Sequence, residues 1–104
     1  MTRHAFKMKL KKGFEAEYQK RHDELWPEMV KELEAAGISD YSIYLDRETL
    51  TLFAFQKVKN YHTSADLPKK AIVQKWWKHM GDIMETNPDG SPIASDLVEV
   101  FHMD

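Results

Sequence analysis

The chain contains no cysteine, which excludes disulfides, thiolate nucleophiles, zinc ribbons and iron–sulfur ligation, and fits a reducing compartment. Any chemistry it performs must use oxygen or imidazole groups. Nor is one sign of charge in excess. The 15 basic and 17 acidic residues nearly cancel and are interspersed, without the single-sign runs of nucleic-acid or membrane-surface binders. Nucleic acid is therefore not an expected partner. Met1 to Leu10 alternates polar and apolar residues and carries lysines, so neither a signal-peptide apolar run nor a membrane span is expected, and a cytoplasmic location is. A glycine-rich phosphate loop, a Gly-x-Ser-x-Gly elbow and a flavin or nicotinamide fingerprint are also missing. None of the five histidines forms His-Glu-x-x-His. His22-Asp23 point to different helix faces, and His79 with Asp82 is an i, i+3 pair lacking a third ligand nearby. No metal and no cofactor are expected.

What is present is enough for one domain, residues 1–104, with little core to spare: 104 residues, of which 42% are hydrophobic. No repeat, low-complexity stretch or linker interrupts it. His4, Phe6, Met8 and Leu10 alternate with Arg3, Ala5, Lys7 and Lys9, the period-2 pattern of a half-buried strand closed by Gly13. Phe14, Tyr18, His22, Leu25, Met29, Leu33 and Ala36 then recur at steps of three or four, one stripe of a long helix ending near Gly37. Pro27 inside that run lacks an amide donor and clashes with the preceding turn, so a kink or break is expected near Asp23 to Trp26, opening the backbone beside His22.

Tyr41–Asp46 and Leu50–Val58 read as two strands around the polar turn Asp46-Arg47-Glu48-Thr49. The second is apolar on both faces, with Leu50, Leu52, Ala54 and Val58 on one side and Phe53 and Phe55 on the other. Pro68 is expected to open another helix with Ile72, Trp76, Met80 and Ile83 on its buried stripe. The loop Asn87-Pro88-Asp89-Gly90-Ser91-Pro92 follows, and Asp96–His102 reads as a last strand. The order β-α-β-β-α-β with right-handed crossovers gives an α+β, ferredoxin-like domain: a four-stranded antiparallel sheet with two helices on one face. Phe53 and Phe55 would then lie bare on the other face unless a second copy covered them.

Two clusters carry chemistry. His22 is an imidazole on an otherwise apolar stripe, so it is either satisfied within the core or lines a cavity; titrating near neutrality, it is the best acid or base in the chain. Tyr18 lies one turn earlier on the same stripe and can share a ligand with it, or simply pack in the core. Trp76 and Trp77 point about 100° apart on a helix, so one of these indoles has a role outside a single core site. Either one stacks on the C–H face of a sugar, or Trp77 lies at an interface. Tyr41 and Tyr44 add hydroxyls on opposite strand faces. His4 and His102 are expected on terminal strands that can pair, and His62 in a solvated connector.

These residues line up with a known family. Tyr18-Gln19, Arg21-His22, Trp26-Pro27-Glu28, Tyr41 with Ile43-Tyr44-Leu45-Asp46, Trp76-Trp77-Lys78 with Met80, Asp82 and Met84, Asn87-Pro88-Asp89, Ser91-Pro92 and Glu99-Val100-Phe101 resemble the L-rhamnose mutarotases. The likeness runs end to end and is weakest between Lys57 and Val73. It implies an isomerase acting on the sugar L-rhamnose, a ferredoxin-like homodimer joined through its sheets into an α/β barrel, His22 as proton donor, and Tyr18, Tyr41, Trp76 and Trp77 as sugar-binding residues. Mutarotation needs one proton delivered to the ring oxygen and one removed from the anomeric hydroxyl. His22 would serve the former, with Tyr18, Tyr41 or a water for the latter. The rival readings are a cofactor-independent monooxygenase of the same dimeric barrel type and a non-enzymatic sugar-binding dimer.

Overall fold

The computed structural model describes residues 2–59 and 65–104; the expectation for His62 lies outside them. Strand β1 (Thr2–Lys9) leads to helix α1 (Glu15–Asp23) and helix α2 (Pro27–Ala35), followed by strands β2 (Ile38–Asp46) and β3 (Thr51–Val58), helix α3 (Ala71–Met80) and the short strand β4 (Ala94–Asp96). The sheet order is β2-β3-β1-β4 and every pairing is antiparallel. This is the ferredoxin-like arrangement.

The long helical stripe is broken where Pro27 demands it. Pro27 occupies the first turn of α2, where its missing N–H costs nothing, and Trp26 before it is extended at φ −60 and ψ 133. The single expected helix is thus two, and among the described residues the layer over the sheet contains three. Met8, Leu10, Leu52 and Ala54 from the sheet pack with Tyr18 of α1, Met29 of α2, Val73, Trp76 and Met80 of α3, and Ile83 and Met84 just beyond it. The three helices among the described residues therefore cover one face.

Strand β2 starts earlier than the alternation suggested, because a register shift between Ser39 and Ser42 inserts one residue. Asp40 absorbs it at φ 48. The bulge changes the parity of the strand, so that Ile38 pairs with Val58 and Ile43 with Ala54, and apolar residues on both sides of it face the helices. Tyr41 consequently faces the helices, its ring 6.4 Å from Phe6. Tyr44 faces the other way, against Phe55 at 5.8 Å.

Two further elements differ from expectation. Pro68 lies in a separate 3-10 turn, Leu67–Lys69, and the extended Lys70 divides that turn from α3. The last strand is Ala94–Asp96 rather than Asp96–His102. Beyond it, Leu97 donates to the Ala5 carbonyl and Glu99 pairs with Arg3 at 2.8 Å, but Val98 and Val100 are 84% and 92% exposed. Among the described residues no layer covers the alternation there, and the ladder ends. His102 bonds to Asp104 within the tail and does not pair with His4. The latter donates from Nε2 to Asp96 and accepts at Nδ1 from Gln56.

Candidate active site

Tyr18 and His22, four residues apart on α1, stack with ring centroids 4.3 Å apart and 29° between planes. Trp76 of α3 meets the His22 ring edge-on at 5.4 Å. Its other side is closed by Trp26 at 5.1 Å and His79 at 5.6 Å. Trp26 joins this cleft from the extended position just before Pro27, at the end of the Tyr18–His22 i, i+4 series. Trp26 and His79 were not among the expected site residues, and the notable signal for Trp26 was its place immediately before the helix-breaking proline.

The imidazole has a fixed tautomer. Nδ1 lies 3.1 Å from the main-chain oxygen of Tyr18, which can only accept, so Nδ1 carries the proton and donates it. Nε2 has no hydrogen-bond partner among the described residues and holds a bare lone pair in the neutral ring. Burial lowers the His22 pKa below its ordinary 6.5, against smaller opposing effects of the Tyr18 carbonyl and Asp23. At pH 7 the resting group is a neutral base.

The phenols have the opposite character. Burial, and then proximity to Tyr41, pushes the Tyr18 hydroxyl well above the usual phenol value. Tyr41 keeps 38% of its surface open, yet enough protein crowds its hydroxyl to raise the pKa to about 12. The open surface is what matters for ligand access, and the shift fixes the protonation state. Both groups are neutral hydroxyls that donate hydrogen bonds and do not ionise near pH 7.

The structure thus brings Tyr18, His22, Tyr41 and Trp76 to one region on the helix side of the sheet. Trp77, partly buried against the core that holds Tyr18 and Trp76, also lines a surface groove with Gln74, Lys78 and the loop from Pro88 to Ser91. Among the described residues no group of three or more His, Asp or Glu side chains is placed to hold a metal, and no helix is long and apolar enough to cross a membrane.

Fold and site together define a class: a ferredoxin-like α+β domain with a half-buried imidazole set in an aromatic cleft. A family model described as L-rhamnose mutarotase matches residues 3–103. An L-rhamnose mutarotase of Bacteroides thetaiotaomicron is 60% identical over 104 residues, the whole of both chains. One from Rhizobium etli is 60% identical over 101 residues, covering 97% of this chain and 95% of its own. The crystal structure of an L-rhamnose mutarotase from Formosa agariphila superposes with TM-score 0.94 at 53% identity over both full lengths. A protein from Nitrosomonas europaea described as an antibiotic biosynthesis monooxygenase shares the fold at TM-score 0.63 and 9% identity, over 95% of this chain and 89% of its own. That likeness is one of fold alone. The chain belongs to the L-rhamnose mutarotase family.

Proposed function

We propose that this protein is an isomerase interconverting the α and β anomers of L-rhamnopyranose, with His22 as its acid/base group. The observation that carries the reading is the His22 ring, stacked on Tyr18 and edge-on to Trp76: its Nδ1–H is committed to the Tyr18 carbonyl while Nε2 is left to exchange a proton. Neutral Nε2 takes the proton of the anomeric hydroxyl. As the C1–O5 bond breaks and the aldehyde forms, the same nitrogen delivers that proton to O5. Rotation about C1–C2 and the reverse sequence give the other anomer. O1 and O5 are both bonded to C1, so one imidazole can serve both with no net change. Burial disfavours the imidazolium, which returns the proton promptly. His22 is thus a proton donor only after acting as an acceptor. This fits better than a phenolate base, because both tyrosines remain protonated.

The Tyr18 and Tyr41 hydroxyls would orient the sugar as donors, and the Trp76 indole would lie against its C–H face and methyl group. A binding role for Trp77 rests on the family resemblance. A homodimer joined through the open sheet faces accounts for the bare Tyr44–Phe55 pair, and the absence of cysteine fits the cytoplasm.

Saturation-transfer NMR on equilibrated L-rhamnose is the test, irradiating one anomeric proton and observing the other at pH 7. Transfer is expected with the protein and lost in His22→Ala by roughly 10²- to 10⁴-fold in rate, with sugar binding retained by tryptophan fluorescence. Binding without faster exchange in the unmodified protein would leave a sugar-binding protein and not an enzyme. Oxygen uptake with a quinol substrate would favour the monooxygenase.

A further inference from the structure

Helix α1 carries the acid/base residue but buries only Tyr18, so apolar packing alone is a weak constraint on where His22 sits. Its neighbour Arg21 points elsewhere, as consecutive helical residues must, toward the C-terminal end of α3. Its Nη1 donates to the His79 carbonyl at 2.6 Å and to Asp82 Oδ1 at 2.8 Å, Nη2 to Asp82 Oδ2 at 3.1 Å, and Nε to Glu17 at 2.9 Å. The side chain is only 15% exposed.

We propose that Arg21 and Asp82 form a positioning clamp that fixes α1 against α3 and so sets His22 against Trp76. Three features support this. The Asp82 contact is bidentate, the geometry that most restricts a guanidinium. The His79 carbonyl belongs to the last turn of α3, where main-chain oxygens lack helical partners and the helix end favours a cation. The clamp also joins the two helices at residues adjacent in sequence or space to the pair it aligns: Arg21 precedes His22, and His79 packs on Trp76. Neither clamp residue touches the sugar in this scheme; each acts through His22.

The inference rests on the assignment of His22 as the acid/base group, and its test separates the two. In Arg21→Lys the charge remains but the fork is lost. In Asp82→Asn the loss of a carboxylate would, by charge alone, lower the His22 pKa. If the clamp positions α1, both variants let water reach the ring and raise the His22 pKa, read by NMR titration of the imidazole. Both also lower kcat by about 10-fold, within the penalty for a displacement below ~1 Å, with KM changed less than about 2-fold and the far-ultraviolet circular dichroism unchanged. Folded variants with wild-type kcat and an unmoved His22 titration would overturn the clamp. So would a loss of activity that only follows the unfolded fraction. If the unmodified protein exchanged no anomers, the assignment of His22 would fail, while the ring titration would still decide whether the clamp governs its surroundings.

Discussion

At the scale of single residues the site is governed by which protons are held and which are free. With Nδ1–H bound to the Tyr18 carbonyl and the His22 pKa lowered by burial, the working form is the neutral ring. As pH falls through that lowered pKa the lone pair of Nε2 is protonated, so kcat/KM is expected to be flat at and above pH 7 and to drop on the acid side, with a midpoint below 6.5. Initial rates corrected for spontaneous mutarotation check this, and a rate that climbed on acidification would show an acid as the resting group. Tyr18 remains a donor throughout, so Tyr18→Phe should lower kcat/KM roughly 2- to 10-fold, the worth of one neutral hydrogen bond, and leave the acid limb where it was. His22, Tyr18 and the Trp76-Trp77 pair could be picked out from spacing because each breaks a pattern: polar groups on an apolar stripe, or two indoles that cannot share one site. The tautomer could not, since it depends on a main-chain oxygen whose direction is set only once the helix is formed.

At the scale of elements, the sequence was legible wherever a period or a breaker acts locally. The Pro27 break, the Asp46–Thr49 turn and the two-faced apolar strand β3 all follow from nearest-neighbour sterics or alternation. The bulge at Ser39/Ser42 and the early end of β4 were not legible, because each is decided by what lies across the sheet: Val58 opposite Ile38 in one case, nothing over Val98 and Val100 in the other. Gly37 marks the passage from α2 into β2 at φ 84. Its N–H donates to Glu34 and its carbonyl accepts from Lys59, so the backbone there has little freedom to relax. A side chain at that φ is strained, and Gly37→Ala should cost about 1–2 kcal/mol. Urea unfolding monitored by circular dichroism reads this as a lower midpoint at unchanged slope, and an unaltered midpoint would show that the turn can adopt another conformation.

At the scale of the whole molecule, the helix layer and the site occupy one face of the sheet, and the other face presents Tyr44 at 64% and Phe55 at 44% exposure, in edge contact at 5.8 Å. Among the described residues nothing covers them, because the three helices there pack on the core side. A second copy placed sheet to sheet would bury both pairs of rings about a twofold axis, each patch facing its own equivalent. Light scattering at micromolar concentration is therefore expected to give near twice the 12.2 kDa of one chain. Phe55→Lys should return the monomer mass, since a charge at the centre of such a contact must be desolvated without a partner. Because Phe55 is substantially exposed within its own chain, the substitution should shift the stability of an isolated chain by only about 0.5 kcal/mol. The four residues gathered at the site all come from one chain and lie on the opposite face, so the dissociated variant should still exchange anomers. A monomeric variant that stayed folded but lost all exchange would place part of the catalytic apparatus at the interface. A wild-type protein of 12.2 kDa in solution would leave Tyr44 and Phe55 as ordinary surface residues and remove the reason for pairing the sheets.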